Sequence, residues 1–362
     1  MAILITGFPG FLGGRLVAGL LEDDPETRIV ALVEPKMVER ARERAGELDG
    51  GRIEVLEGDI TDRRLGLSDQ DYERLTAEVR ALFHLAAIYD LAVPLEIAEK
   101  VNVEGTGNVL DFCLACESLE RHHYVSTAYV AGTRTGTVYE HELALGQDFK
   151  NHYESTKFQA EVWVRESMDR VPTTVYRPAI VVGDSETGET PKFDGPYYIL
   201  RVISRAARMK QPVPRFGSGN APFNVVPVDF VTHAMRAAAR DDALTGETLH
   251  LVDSDPVSAS ELFDLLAREY LGKETAYQLP PSLVAGSLRF SGMRKLFAGA
   301  PRESIRYLNH PVRFDTRRAQ ATLEPHGVVC PRLQDYVGPI VSFYRGHEDD
   351  EGYMPTGSAG PR

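Results

Sequence analysis

A tyrosine and a lysine four residues apart are the side chains of this sequence best suited to proton transfer. Tyr153 and Lys157 occupy positions i and i+4 of a segment with helical periodicity, so both side chains lie on one face of one helix. Because a nearby ammonium favours the phenolate, we expect Lys157 to lower the pKa of Tyr153 toward working pH, as a general acid or base requires. The alternative is an exposed aromatic residue that lies beside a lysine without any chemical role.

A hydroxyl upstream of this pair favours the chemical interpretation. Thr127 lies where a strand beginning at Tyr124 runs into a loop. We expect Thr127 and Tyr153 to hydrogen-bond the same substrate oxygen and so to stabilise the charge that develops on it during reaction. Ser126 is the less favoured candidate, because successive side chains of a strand point to opposite faces.

The first predicted strand runs directly into a glycine-rich turn. Glycines 7, 10 and 13 form a GxxGxxG pattern between that strand and a helical segment at residues 15–21. Such glycines permit a tight turn, let backbone N–H groups approach a pyrophosphate, and allow close packing of helix on strand. An ordinary strand-to-helix turn is the alternative, but the position of the pattern favours a dinucleotide site. The predicted contacts in this turn are Gly7, Gly10, Phe11, Leu12 and Gly13.

Residues at the ends of the next strands extend the predicted cofactor site. Glu34 ends the second strand, where an acid binds the adenosine ribose hydroxyls and repels a 2′-phosphate, so NAD(H) is favoured. NADP(H) is the alternative, because Lys36, Arg40 and Arg15 lie close enough in sequence to contact a phosphate. The contacts predicted after the third and fourth strands are Asp59 with the adenine amino group, Ile60 with the adenine face, and Leu85, Ala86 and Ala87 where small residues let the backbone approach.

Apolar runs of strand length alternate with helical segments along the first half of the chain. They lie at residues 2–5, 29–33, 53–56, 81–85, 123–126 and 174–176. This alternation predicts an α/β fold of Rossmann type with a doubly wound parallel sheet. Residues 225–230 are predicted to return to the main sheet before a helix at about residues 231–239. His122 and His123 are predicted to be polar residues at the entry of a strand.

Changes in composition divide the chain into two predicted parts. Turn residues are concentrated at residues 183–196 and 212–222. We predict a dinucleotide-binding domain at residues 1–185 and about 223–250, and a smaller C-terminal substrate-binding subdomain at residues 186–222 and 251–345. Residues 346–362, acidic and then rich in Gly, Pro and Ser, are predicted to be a disordered tail. Within residues 279–297, an apolar and basic segment is predicted to pack on its own domain rather than on a membrane.

Composition excludes several classes of partner. The net charge is −13 and no basic block is present, so nucleic acid is not an expected partner. No stretch approaches the ~20 apolar residues of a membrane span, and a cytoplasmic location is expected. Cys113 and Cys116 are spaced CxxC but lie in a helical pattern, with only Cys330 elsewhere, so neither a disulfide framework nor a metal site is expected.

Taken together, these motifs resemble the extended short-chain dehydrogenase/reductases. Within that family, the sequence is most similar to the branch of the fatty acyl-CoA reductases and the thioester reductase domains of peptide and polyketide synthetases. The resemblance covers most of the chain, from Ile5 to about Arg345. The similar stretches are Val125-Ser-Thr-Ala-Tyr-Val130, Tyr153-Glu-Ser-Thr-Lys157, Arg177-Pro-Ala-Ile-Val-Val-Gly-Asp-Ser185 and Pro227-Val-Asp-Phe-Val231.

The resemblance implies catalytic roles for Thr127, Tyr153 and Lys157. It places Pro178 and Ile180 along the nicotinamide, and it implies a homodimer. It also implies a substrate that arrives on coenzyme A or on a separate carrier protein. Members of the acyl reductase branch typically carry an arginine after the second strand and use NADPH, whereas this chain has Glu34.

The leading hypothesis is an NAD(P)-dependent oxidoreductase. It transfers hydride between the nicotinamide and a carbonyl, alcohol or acyl thioester of a fairly apolar substrate, with Tyr153 as general acid or base. A nucleotide-sugar epimerase or dehydratase with tightly bound NAD is the alternative that Glu34 favours. A non-catalytic NAD(P)-binding regulatory protein is the alternative from another class, and the presence of both Tyr153 and Lys157 speaks against it.

Overall fold

A parallel seven-stranded sheet forms the centre of the molecule. The structure, a computed structural model, describes residues 2–89, 93–216, 219–279 and 306–354 of the 362-residue chain. The order of the strands in the sheet is β11-β7-β5-β4-β1-β2-β3. These strands are β1 (Ala2–Thr6), β2 (Arg28–Val33), β3 (Ile53–Glu57), β4 (Val79–His84), β5 (Arg121–Val125), β7 (Thr173–Pro178) and β11 (Thr248–Leu251).

The helices that flank this sheet follow the strands in regular alternation. Their first members are α1 (Phe11–Asp23), α2 (Val38–Asp49), α3 (Asp69–Glu78), α4 (Leu95–Ala98), α5 (Gly105–Ala115) and α6 (His152–Glu166). Those nearer the C-terminus are α7 (Tyr197–Arg208), α8 (Val228–Ala239), α9 (Ala259–Leu271), α10 (Arg317–Leu323) and α11 (Leu333–His347). The prediction of a doubly wound α/β fold is confirmed, and the ends of the six predicted strands differ from those observed by one or two residues.

Alternating strand residues supply two separate hydrophobic cores, one on each face of the sheet. Ile5 and Ala31 point to the face covered by α1, α2 and α8, whereas Leu4 and Val30 point to the face covered by α3 and α5. Because both faces are covered, β1 and β2 are apolar along most of their length, and all six residues of β7 are buried.

Residues 225–230 do not return to the main sheet, so that prediction is wrong. β10 (Val225–Pro227) pairs with β8 (Ile180–Val182) in a separate two-stranded sheet, and α8 begins at Val228. The seventh strand is instead β11, which pairs with β7. A short apolar run does not distinguish a strand from the first turn of a buried helix. Two further strand pairs lie outside the main sheet: β6 (Gly136–Val138) with β13 (Val312–Phe314), and β9 (Pro214–Phe216) with β12 (Tyr277–Leu279).

The C-terminal segment is folded at least as far as Met354. α11 continues to His347, and Tyr353 stacks on Phe193 with ring centroids 5.0 Å apart. The backbone N–H of Phe193 also donates to the carbonyl of Tyr353 at 2.8 Å. The prediction of disorder is therefore wrong for residues 346–354. A single aromatic contact leaves no periodic pattern in the sequence from which a folded segment could be predicted. Residues 355–362, and nearly all of the segment predicted at 279–297, lie outside the described residues.

His122 and His123 lie inside β5 and not at its entry, so that prediction is also wrong. Both side chains are fully buried, and each ring has a partner on the neighbouring strand β7. The Nδ1 of His123 lies 2.8 Å from the hydroxyl of Tyr176, and the Nδ1 of His122 lies 3.2 Å from that of Thr173. Burial lowers the pKa of His122 to about 3.

Among the described residues, none of the helices has both the length and the apolarity needed to cross a bilayer.

A buried carboxylate connects the edge of the main sheet to the C-terminal part of the chain. Glu140 accepts the backbone N–H groups of His250, Arg318 and Ala319 at 2.9, 2.8 and 3.0 Å. The last two belong to the first turn of α10, whose N–H groups have no partner within the helix. Glu140 therefore caps α10 and holds it against β11.

Replacing Glu140 should destabilise the protein without affecting the cofactor crevice. In Glu140→Ala, three buried N–H groups lose their acceptor, and we expect the free energy of unfolding to fall by about 2–4 kcal/mol. Denaturant unfolding measures this change. The exposed Glu73→Ala is the control and should change stability by less than about 0.5 kcal/mol. Equal stability of the two variants would show that Glu140 does not support α10.

Candidate active site

A crevice opens where the strand order of the sheet reverses, between the carboxyl ends of β1 and β4. Thr6 is the last residue of β1, and its hydroxyl lies 2.8 Å from Nδ1 of His84 at the end of β4. The same hydroxyl accepts the backbone N–H groups of Leu85 and Ala86 at 3.2 and 3.1 Å. Such a switch point is where open α/β sheets bind ligands.

The glycine turn leaves no room for larger residues at this crevice. Gly7 has φ +89°, and a Cβ at this position would lie 2.9 Å from the backbone nitrogen of Ala86. A Cβ on Gly10 or Gly13 would lie 2.7 or 2.6 Å from the carbonyl oxygen of Gly7. No side chain caps the N-terminus of α1, so its first N–H groups are available to a pyrophosphate. The residues present therefore fit a dinucleotide.

The residues predicted at the adenosine end have mixed surroundings. Glu34 is exposed at the end of β2 and pairs with Lys36 at 3.0 Å. Arg15, considered as a phosphate ligand, pairs instead with Asp184 and Glu189. Asp59 accepts the N–H of Thr61 at 2.8 Å, and Ile60 is buried against Gly105. Most of the Ile60 side chain thus faces the protein interior.

A cavity of about 470 Å³ adjoins the crevice and brings the predicted chemical residues together. The predicted residues that line it are Phe11, Leu12, Leu85, Ala87, Thr127, Tyr153, Lys157, Pro178 and Ile180. Outside its lining lie Gly7, Gly10, Gly13, Glu34, Asp59, Ile60 and Ala86. The residues of the first group lie around Tyr153. Those of the second group lie in the glycine turn and after β2, β3 and β4, along the crevice toward the predicted adenosine end.

Tyr153 lies in the first turn of α6. Asn151 is the N-cap of this helix and accepts the N–H of Glu154 at 2.9 Å. The ring of Tyr153 packs edge-on against Tyr89, with centroids 5.0 Å apart. Thr127 follows β5, caps the short 3₁₀ turn after it, and its hydroxyl lies close enough to the Tyr153 phenol to lower the pKa of that phenol. The hydroxyls of Thr127 and Tyr153 are therefore adjacent in the cavity.

Burial decides the ionisation of both Tyr153 and Lys157. Burial raises the pKa of Tyr153. The neighbouring hydroxyl of Thr127 opposes this rise, and the charge of Glu154 adds to it. Burial also lowers the pKa of Lys157 to about 7, while Glu161 acts in the opposite direction. The ammonium group of Lys157 donates to the carbonyl of Val125 at 2.8 Å. The expectation of a lowered tyrosine pKa is thus wrong here, because desolvation outweighs the i+4 neighbour.

Sequence reasoning missed a buried ion pair directly behind this site. Glu161, four residues after Lys157 on α6, is fully buried and pairs with the equally buried Arg177 of β7 at 2.7 Å. Ser126 donates to Glu161 at 2.5 Å, so its hydroxyl has a partner away from Tyr153 although the residue also lines the cavity. The i+4 spacing of Lys157 and Glu161 is a signal that was available in the sequence.

Asn102 is a second missed residue, and it connects two parts of the site. It lies in a π-helix, Glu99–Glu104, between α4 and α5. Its Oδ1 accepts the N–H of Ile88 at 2.9 Å, and its Nδ2 donates to the hydroxyl of Thr156 at 3.1 Å. Asn102 therefore joins the loop after β4 to α6. A π-turn has no sequence signature by which it could be predicted.

Six aromatic side chains also line the cavity: Tyr89, Tyr129, Tyr198, Phe223, Phe263 and Tyr307. Tyr197, the neighbour of Tyr198, lies outside the lining, and its hydroxyl accepts the N–H of Gly183 at 3.0 Å. These residues come from separate segments, which only the fold brings together.

A dinucleotide crevice beside Thr127, Tyr153 and Lys157 on this fold defines an extended short-chain dehydrogenase/reductase, an NAD(P)-dependent enzyme. Comparison with known families agrees: the family model described as male sterility protein matches residues 5–235. The chain belongs to this family. The non-catalytic alternative is accordingly set aside.

The individual relatives that match this chain have low sequence identity to it. The chain is 28% identical over 302 residues to the non-canonical nonribosomal peptide synthetase hkm10 of Aspergillus hancockii, covering 77% of this chain and 28% of that protein. It is 28% identical over 378 residues to the aldehyde reductase lnaA of Aspergillus flavus, covering 91% of this chain. The chain spans only 34% of that relative's length.

Among solved structures, the terminal R domain from the myxalamid PKS-NRPS pathway matches with a TM-score of 0.83 at 25% identity. The match covers 97% of this chain and 92% of that one.

The buried ammonium of Lys157 should make stability depend on pH. Its pKa is lowered to about 7 in the folded protein, from an ordinary value of 10.5, so the unfolded chain binds more protons between these values. Stability should therefore rise with pH through this window, by at most about 1.4 kcal/mol per pH unit. Unfolding of the wild type and of Lys157→Met, without added cofactor, measures the difference.

The control is Lys273→Met, at an exposed position, which should keep the pH dependence of the wild type. If the stability difference between the wild type and Lys157→Met is the same at pH 7 and pH 9.5, Lys157 is not the titrating group.

Proposed function

We propose that this enzyme uses NADH to reduce a carbonyl group of an apolar substrate, either a free aldehyde or ketone or an acyl thioester. The observation that carries this proposal is the placement of Thr127, Tyr153 and Lys157 on one wall of a mostly apolar cavity. Pro178 and Ile180 line the same cavity, which supports a nicotinamide position beside them. The aromatic lining supports an acyl or alkyl substrate by burial of apolar surface.

Each of the three polar residues has a role in this reaction. The nicotinamide, when bound, supplies the hydride. Tyr153 donates its phenolic proton to the carbonyl oxygen as the carbonyl carbon becomes saturated, so that an alcohol forms. Thr127 donates a hydrogen bond to the same oxygen and stabilises its developing charge. Lys157, held by the carbonyl of Val125, orients the nicotinamide ribose and stabilises the tyrosinate until solvent returns the proton.

With a thioester, the carbon that receives the hydride also carries a sulfur leaving group. The C–S bond then breaks, an aldehyde forms, and the thiolate takes a proton. The acyl group would arrive on coenzyme A or on a carrier protein. The match to the R domain of the myxalamid pathway supports the carrier-bound version.

An epimerase acting on nucleotide sugars is the weaker candidate. Such a substrate carries a diphosphate, which calls for several basic side chains. Among the described residues that line the cavity, only Lys157 and Lys192 are cationic, and Lys192 lies 3.9 Å from Asp194. The aromatic wall is poorly suited to a sugar diphosphate, and the argument from Glu34 alone favours this alternative.

Loss of one hydroxyl tests the proposed mechanism. Tyr153→Phe removes the proton donor but keeps the ring, so kcat with decanal or decanoyl-CoA should fall by about 10³-fold or more. The dissociation constant for NADH should change by less than about threefold, because the phenol acts mainly on the substrate oxygen. Steady-state kinetics and nicotinamide fluorescence measure these values. Near-normal turnover in this variant would show that Tyr153 is not the proton donor.

Glu34 should decide the choice of cofactor. Because a carboxylate at the end of β2 binds ribose hydroxyls and repels a 2′-phosphate in folds of this type, the wild type should bind NADH about tenfold more tightly than NADPH. Glu34→Gln should narrow this difference by improving NADPH binding. The exposed Glu39→Gln, in the first turn of α2, is the matched control and should leave it unchanged. A clear NADPH preference in the wild type would refute the argument from Glu34.

A further inference from the structure

The start of the catalytic helix is held by a residue from far along the chain. The hydroxyl of Tyr307 accepts a hydrogen bond from Nδ2 of Asn151 at 2.8 Å and donates one to Oε1 of Glu154 at 2.7 Å. Asn151 and Glu154 lie on either side of Tyr153 in the sequence, as the N-cap and as part of the first turn of α6. One hydroxyl thus bridges the two ends of the segment that carries the proton donor.

Glu154 itself is fully buried and depends on few partners. Its carboxylate accepts the backbone N–H of Lys150 at 2.9 Å and the ammonium of Lys150 at 3.0 Å, in addition to Tyr307. Arg306 donates to the carbonyl of Lys150. The charge of Lys150 contributes to lowering the pKa of His310, after the larger effect of burial. A buried carboxylate that loses one of so few donors keeps a less compensated charge.

The ring of Tyr307 has a separate contact with the substrate side. It lines the cavity and packs edge-on against Tyr129, with centroids 4.9 Å apart. Tyr129 lines the cavity as well, and the ammonium of Lys150 lies 5.7 and 5.2 Å from the centroids of the Tyr129 and Tyr307 rings. Tyr307, which holds the first turn of α6, is therefore also part of the wall that the proposed substrate would contact.

We propose that Tyr307 is a positioning residue: its hydroxyl fixes the first turn of α6, and with it the phenol of Tyr153, while its ring forms part of the substrate wall. This proposal rests on the proposed reductase function for its kinetic consequences. Its structural consequence, a first turn of α6 that opens less often, is independent of which substrate the enzyme takes.

Removing the hydroxyl has two expected effects. The first turn of α6 opens more often, because the N-cap Asn151 and Glu154 are no longer bridged. The charge of Glu154 is also less compensated, and a negative charge next to Tyr153 favours retention of its proton. The charged and titratable groups that face this cluster are Lys150, Arg306, His310, Tyr129, Tyr89 and Lys157. They are unchanged in the variant, so a shift in the pH profile reports on the pair of Tyr307 and Glu154.

The experiment compares Tyr307→Phe with Tyr336→Phe. Tyr336 is an equally buried tyrosine whose hydroxyl donates to the carbonyl of Val225 at 3.2 Å, and it does not line the cavity. Hydrogen exchange of residues 152–156, followed by mass spectrometry, should be about tenfold faster in Tyr307→Phe only. With decanal and NADH, kcat should fall by about tenfold in Tyr307→Phe, with a smaller change in KM.

The pH dependence separates positioning from a merely structural role. The alkaline limb of the kcat profile should move to higher pH in Tyr307→Phe and to lower pH in Glu154→Gln, since the latter removes the negative charge beside Tyr153. If Tyr307→Phe matches Tyr336→Phe in both hydrogen exchange and pH profile, the proposal is wrong. If the wild type turns over neither decanal nor decanoyl-CoA, the proposed reductase function fails, and the hydrogen exchange comparison still decides the role of Tyr307.

Discussion

The buried ion pair between Glu161 and Arg177 is the interaction on which the position of helix α6 depends. Glu161 belongs to α6 and Arg177 to β7, and neither side chain is exposed to solvent. Arg177 also donates to the backbone carbonyls of Glu140 and Glu142. Separating α6 from the sheet would break this pair and leave Arg177 buried on β7 without its carboxylate partner, which is strongly destabilising. The pair therefore fixes α6 to β7, and Tyr153 and Lys157 are fixed with it.

The two halves of α6 are held by different parts of the chain. The half that contains Glu161 is fixed to the main sheet, whereas the first turn is held by Lys150 before the helix and by Tyr307 from the C-terminal region. Lys157 lies between these two attachments. The crevice is built by the sheet, and the cavity wall is built partly by the C-terminal region, so the helix that carries Tyr153 connects the two.

Local patterns in the sequence predicted the parts of the structure that depend on local physics. Buried strands, the glycine turn and the i+4 pair of Tyr153 and Lys157 each follow from neighbours within a few residues. The wrong predictions arose where partners far apart in sequence decide the outcome. Residues 225–230 were assigned to the main sheet although residues 248–251 occupy the seventh position, and the folded end near Tyr353 depends on Phe193. Asn102 and Tyr307 reach the site only through the fold, so no pattern near Tyr153 points to them.

The pKa of Tyr153 shows how burial in the fold can overturn an electrostatic argument made from neighbouring residues in the sequence. The sequence places Lys157 beside Tyr153, but the fold buries both, and burial disfavours the phenolate as well as the ammonium. A phenol with a raised pKa gives up its proton only to a strongly basic oxygen. A carbonyl oxygen is not basic, but it becomes so once hydride reaches the carbon. In the proposed reaction, burial of Tyr153 therefore ties proton donation to hydride transfer, and the neighbouring hydroxyl of Thr127 limits how far the pKa of Tyr153 rises.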